Sequence, residues 1–102
     1  MSMKFYILDD DHQMVEVPMM EWAEWFEAGK HYIAADKGKG WWMSSIFLGF
    51  DHTPLAGGLL YETMIVQGMY DEDRDFFRFT TYDECIGFHR MWVNELRGID
   101  HE

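Results

Sequence analysis

The sequence predicts an α+β fold: an antiparallel sheet of five or six strands with two helices packed on one face. Three observations predict it. Ser44 to Val66 reads as two long apolar strands joined by a loop that begins with Asp51 and His52. Runs rich in β-formers, or alternating in polarity, lie on both sides of it and are bounded by turn residues. Two further segments place apolar residues at helical spacing and open on helix-start signals, Pro18 in one and Thr81-x-x-Glu84 in the other. A helix with one apolar face needs a sheet face to cover.

In chain order, Lys4 to Leu8 is β-rich and Gln13 to Val17 alternates, with Asp9-Asp10-Asp11-His12 as a polar turn between them, so a hairpin is expected. The aspartates lack the alternate ligands, the sixth-position glycine and the distal glutamate of a calcium loop, and read as a solvated turn. Pro18 suits the first helical position, where its missing N–H has no partner to lose. Met19, Trp22, Ala23 and Phe26 then fall at the spacing of one buried helix face. Glu21, Glu24 and Glu27 line the opposite side, and Gly29 ends the helix. Trp25 lies beside that glutamate stripe, either packed at the helix margin or exposed as a contact residue.

Lys30 to Ala35 reads as a strand and residues 36–40 as a turn. The Gly38-Lys39-Gly40 triplet lacks the spacing of a phosphate-binding loop. Trp41 to Gly49 is a strand with Trp42, Ser44, Ile46 and Leu48 on one face and Trp41, Met43, Ser45 and Phe47 on the other. Two largely apolar faces suggest a central strand, covered on both sides or at an interface. Pro54 and Gly57-Gly58 mark a loop, and Leu59 to Gln67 is the next strand. Leu60, Glu62, Met64 and Val66 share one of its faces, and Leu59, Tyr61, Thr63 and Ile65 the other. An acidic connection follows, then a short strand from Asp75 to Phe79. Thr81 and Glu84 form a capping box. The helix behind it runs to Arg97, with Gly98 as its stop, and carries Tyr82, Ile86, His89, Val93 and Leu96 as its apolar stripe, with Cys85 and Trp92 alongside.

Charge and composition bound the function. A chain of 102 residues is one domain, and 48% hydrophobic with 18% aromatic residues supplies a core without staples. A single cysteine, Cys85, excludes an intramolecular disulfide and fits a reducing compartment. The first residues carry no apolar signal segment, and no apolar run is long enough to span a bilayer, so a soluble protein is expected. Acidic residues number 19 against 8 basic ones, for a net charge of −11. Such a charge repels nucleic acid and anionic membranes and favours a protein partner with a basic surface. It also keeps a protein soluble.

Several runs carry a family likeness. Ile46-Phe47-Leu48-Gly49-Phe50-Asp51-His52 is followed by Leu59-Leu60-Tyr61-Glu62-Thr63-Met64-Ile65-Val66, then by Thr80-Thr81-Tyr82-Asp83-Glu84 with His89. These resemble F-L-G-x-D-H, L-F-E-T-M and S/T-x-x-E…His elements in a family of small, uncharacterised proteins from tailed bacteriophages and prophages. The segment Glu21-Trp22-Ala23-Glu24-Trp25-Phe26 is also similar to that family. The resemblance covers most of the chain and implies a phage or bacterial cytoplasmic origin. The chain departs from the pattern between His52 and Leu59, where a longer Asn/Gly-rich loop is expected.

Asp51, His52, Glu62 and His89 are the candidates for chemistry. His89 falls in an apolar helix stripe and Glu62 in mid-strand among apolar neighbours, where an unpaired polar group is costly. If the helix packs on the Glu62 face, the two meet, and a Glu–His or Asp–His hydrogen bond would fix helix to sheet. The same residues also suit a metal site or a general acid–base pair. Cys85, on a helix flank, reads as a buried thiol, and Ser44 and Ser45 lack the strained elbow of a serine nucleophile.

The expected function is non-catalytic protein binding without a cofactor or metal. One specific form is an inhibitor of a host defence or nucleic-acid-binding protein, with the acidic face standing in for phosphates. Glu21, Glu24, Glu27 and the Asp71-Glu72-Asp73 turn motivate it, with Trp25, Trp41 and Trp42 as further contact candidates. The alternatives are a small metal-dependent or acid–base enzyme using His52, Glu62 and His89, and an assembly factor that oligomerises through Trp41 and Trp42. The tryptophans and the nine methionines form either an adaptable binding surface or simply a core.

Overall fold

The computed structural model describes residues 3–50, 60–68 and 73–100. Its elements are β1 (Phe5–Leu8), β2 (Met14–Val17), α1 (Met19–Glu27), β3 (Tyr32–Gly38), β4 (Trp41–Phe47), β5 (Tyr61–Gln67), β6 (Asp73–Phe79) and α2 (Tyr82–Asp100). The fold is α+β. The strands form two antiparallel sheets, a β1–β2 hairpin and a four-stranded sheet in the order β3-β4-β5-β6, where a single sheet of five or six strands was expected. The reason lies after Phe47. Gly49 takes a positive φ of 80°, which turns the chain out of the pleat and ends the ladder. The hairpin then touches that turn by a backbone bond, Tyr6 N–H to the Gly49 carbonyl at 2.7 Å.

The hairpin turn is held by Asp9, whose carboxylate accepts from the N–H groups of Asp11 and Gln13, each at 2.9 Å. Pro18 stands as the N-cap of α1, one position earlier than expected, and Gly29 (φ 77°) closes the helix just after its Ala28 cap. α1 buries no residue fully. Trp22, Ala23 and Phe26 are half-buried, but Met19 is 56% exposed, so the predicted apolar face is shorter by one turn. The Trp22 indole N–H donates to the Leu48 carbonyl at 3.0 Å, so α1 is anchored at the end of β4. β3 runs through Asp36 to Gly38. The expected turn over 36–40 therefore shrinks to Lys39-Gly40, with Gly40 at φ 71°.

α2 packs on one face of the four-stranded sheet. Its Val93 and Leu96 meet Trp41, Met43 and Ile65, while Cys85 meets Phe47, Leu60 and Tyr61. Tyr6, Leu8 and Trp25 pack against the second cluster, as does Tyr82 of α2, so the hairpin and α1 meet the sheet at its Phe47–Tyr61 end. Thr81 caps α2: its hydroxyl accepts from the Glu84 N–H at 3.2 Å and donates to the Glu84 carboxylate at 3.0 Å. The Thr80 and Thr81 hydroxyls hold that carboxyl below the usual range. Gly98 does not stop the helix, which continues to Asp100.

Candidate functional site

The register decides which polar residues meet. Ala34, Asp36 and Gly38 of β3 pair with Ser45, Met43 and Trp41 of β4, and Ser45 pairs with Thr63 of β5. Asp36, Ser45 and Thr63 therefore share the face beneath α2. Glu62 pairs with Ile46 and Arg78 and points to the other face. There its carboxylate accepts from the Arg78 guanidinium at 3.2 Å. The condition for a Glu62–His89 contact, a helix packed on the Glu62 face, is not met. Asp51 and His52 lie outside the described residues.

His89 is the centre of the group that does form. It is 2% exposed and occupies the middle of the α2 stripe, over the sheet. Its Nε2 lies 2.8 Å from Asp36 Oδ2, and its Nδ1 lies 2.7 Å from the Ser45 hydroxyl. Ser45 Oγ lies 2.6 Å from Thr63 Oγ1, and that oxygen is 3.5 Å from Cys85 Sγ. Arg97 donates to the second oxygen of Asp36 at 2.8 Å. The result is a continuous relay from a half-exposed Arg97–Asp36 pair, through imidazole and two hydroxyls, to a buried thiol.

Chemistry fixes the donor order. The Asp36 carboxylate only accepts, so His89 Nε2–H donates to it. The neutral ring then presents Nδ1 as an acceptor for the Ser45 O–H, and Ser45 Oγ accepts from Thr63. A protonated ring reverses the two hydroxyls without stranding either. Ser45 and Thr63 are both 0% exposed. Every buried heteroatom of the relay has a partner, which is what a stable buried polar network requires.

Carboxylate, imidazole and hydroxyl in sequence are also the parts of a serine hydrolase. Two features separate this group from one. The carboxylate here holds Nε2 and the serine faces Nδ1, the reverse of the hydrolase arrangement. A substrate carbonyl must also come within roughly 3–3.5 Å of the attacking oxygen, and Ser45 has no exposed surface to approach. Burial pushes the Cys85 thiol up in pKa, against a smaller opposing pull from Thr63 and Ser45, which disfavours the thiolate. The neighbouring Tyr61 is pushed up to about 12, first by burial and then by Cys85, Tyr82 and Asp83. Among the described residues no three His, Cys, Asp or Glu side chains converge as metal ligands.

His31 is a second buried imidazole. It stacks on Phe26 with centroids 3.7 Å apart and planes 8° from parallel, and its Nδ1 has no hydrogen-bond partner among the described residues. Burial holds its pKa down, while a bond to the Phe26 backbone pulls the other way. The cost argument that singles out Glu62 applies equally to Ser45 and Thr63, small polar residues on apolar strand faces. Asp36 was concealed by its place in an apparent turn, and Arg97 had no sequence signal beyond its place in the last turns of the helix.

The contact candidates divide. Glu21, Glu24 and Glu27 are all exposed on α1. Trp25 is half-buried, edge-on to Phe47 at 6.0 Å, and Trp41 is core at 6% exposed. Trp42 is half-buried on the face away from α2. Asp71 and Glu72 lie outside the described residues, and Asp73 begins β6. A groove of about 900 Å³ wraps the end of the β3–β4 hairpin, but Asp36 and Trp42 in its lining belong to opposite sheet faces, so it is a surface contour rather than an enclosed pocket. Methionines divide as well: Met43 is fully buried, whereas Met3, Met14, Met19, Met20 and Met91 are exposed. Among the described residues no helix is long and apolar enough to cross a membrane.

No protein-family model, no curated protein and no solved structure matches the chain.

Proposed function

We propose that this chain is a non-catalytic protein-binding module, of the phage or prophage type its motifs resemble, and that the acidic face of α1 engages a basic surface on its partner. The observation that carries this reading is the exposed row Glu21, Glu24 and Glu27. The three carboxylates stand three residues apart, roughly 4.5 Å of axial rise per step. They sit on a helix that contributes no fully buried residue, so selection of those side chains for packing is not required. Within a chain of net charge −11, the row concentrates a single sign on one rigid element, which speeds encounter with a basic target. The finer form of the reading is an inhibitor that presents carboxylates where a nucleic-acid-binding protein, or a host defence protein, expects phosphates.

The relay at His89 supports the non-catalytic half of the reading. Its hydroxyls are sealed under α2, and its groups satisfy one another. In this role it fixes the helix to the sheet. The test is affinity capture from a bacterial host lysate with the wild-type chain and with the triple variant Glu21→Lys, Glu24→Lys, Glu27→Lys. Exposed single charges contribute little to folding, so the variant should keep its thermal midpoint. Loss of the captured protein with an unchanged midpoint supports the proposal. Equal capture by both proteins refutes it.

A further inference from the structure

The two edges of the four-stranded sheet are built differently. β3 carries a register shift between Tyr32 and Ala34, and Arg97 reaches across from α2 to bind Asp36 on it. Bulges and covering contacts of this kind blunt an edge. β6 has neither. It pairs with β5 without a register shift from Gln67↔Asp73 to Tyr61↔Phe79, contains no proline, and leaves Phe76 56% and Phe77 37% exposed. Among the described residues no strand lies on its outer side. Backbone groups along such an edge call for another strand.

We infer that β6 is a homodimerisation edge, pairing antiparallel with β6 of a second copy about a two-fold axis at Phe77. The register follows from charge. A two-fold axis normal to the sheet must pass beside a single residue, because a strand's alternate residues share one face. An axis at Phe76 sets Arg74 opposite Arg78 of the other copy, twice. An axis at Asp75 sets that aspartate against itself. Like charges directly opposite destabilise a strand pair. An axis at Phe77 avoids both. It sets Phe77 against itself on the α2 face, where it already packs on Phe88 with centroids 4.8 Å apart. It sets Asp75 against Phe79. On the other face it sets Phe76 against Arg78 twice, and a guanidinium over an aromatic ring is favourable. Of these three registers the one at Phe77 alone opposes no like charges, which favours a second copy as the occupant.

The inference is independent of the acidic row on α1, and ionic strength separates them. Two chains of net charge −11 repel, so added salt should strengthen the dimer while it weakens binding to a basic partner. The experiment is sedimentation velocity over a concentration series at low and high salt, on wild type and two variants of the exposed Phe76. Wild type should approach twice the 12.2 kDa chain mass, at lower concentration in high salt. Phe76→Asp places a carboxylate opposite each Arg78 and should tighten the dimer. Phe76→Lys places like charges there and should weaken it by about tenfold or more. Phe77→Cys should in addition oxidise to a covalent dimer, because only this register sets residue 77 against itself. A chain that stays monomeric throughout overturns the inference, including the case in which another protein's strand takes the edge. So does a dimer that both Phe76 variants change in the same direction.

Discussion

Removing the Ser45 hydroxyl should cost more than removing the His89 ring, and the two losses should not add. Ser45 Oγ bridges His89 Nδ1 at 2.7 Å and Thr63 Oγ1 at 2.6 Å, both away from solvent. In Ser45→Ala the imidazole cannot turn to a new partner, because Asp36 holds Nε2 at 2.8 Å. Nδ1 is left as a buried acceptor without a donor, at roughly 1–3 kcal/mol. In His89→Leu the hydroxyls can reverse, Ser45 donating to Thr63 and Thr63 to Cys85, while Asp36 keeps Arg97. That variant should lose about 1–2 kcal/mol. In the double variant the stranded acceptor no longer exists, so the losses should fall short of their sum by roughly 1–2 kcal/mol. For a domain of this size each kcal/mol lowers the thermal midpoint by about 4–8 °C. Urea denaturation with a common slope for all four proteins gives the cycle. If the losses add to within about 0.5 kcal/mol, the hydrogen bond between these residues contributes nothing and the clamp reading fails.

Three further outcomes are expected. Gly49→Ala should destabilise by roughly 2–5 kcal/mol, from an alanine forced to positive φ and a Cβ driven into the Trp22 indole and the Tyr6 carbonyl; a loss below about 1 kcal/mol in chemical denaturation would show that α1 shifts freely. Burial keeps the His31 imidazole below its ordinary pKa, so the unfolded chain takes up the proton first. Stability is then complete above about pH 6.5 and falls as pH drops below that value toward the folded pKa, and His31→Phe should flatten this part of the urea-midpoint profile. Cys85, fully buried and with its pKa raised, should be inert to an aromatic disulfide reagent in the native protein and react at once in denaturant; fast native labelling would mean that the first turn of α2 opens.

Local chemistry made much of the fold legible. The Asp9 turn, the Gly29 stop of α1 and the Thr81–Glu84 cap each rest on a few adjacent residues and stand where the sequence puts them, and the Pro18 start of α1 is off by one position. The strand faces were readable too, since alternation alone assigns Glu62 and Thr63 to opposite sides. What alternation cannot say is which side α2 takes. Both faces of β4 and β5 mix apolar with polar residues, and the choice is made by tertiary packing of Val93 and Leu96 on Trp41, Met43 and Ile65. That choice gives His89 to Asp36 and Ser45 instead of Glu62. Asp36 was hidden because Gly38 and Gly40 suggest a long turn, whereas the strand runs on to Gly38 and only Lys39-Gly40 turn. The split of the sheets was hidden for a similar reason: Gly49 sits inside an apolar run, and the Trp22 and Tyr6 groups that leave no room for a Cβ at its positive φ are distant in sequence.

The measurement closest to the central claim is the affinity of a captured partner as a function of ionic strength, made with wild type and with the Glu21, Glu24 and Glu27 reversal. If the acidic face of α1 carries binding, wild-type affinity falls by about tenfold or more between roughly 50 and 500 mM salt, as screening shortens the reach of the row. The triple reversal should then bind weakly at every salt concentration and show a flat profile. An affinity that is the same at both ends of the range, and that survives the reversal, would contradict the account and move the binding surface to the sheet face that carries Trp42.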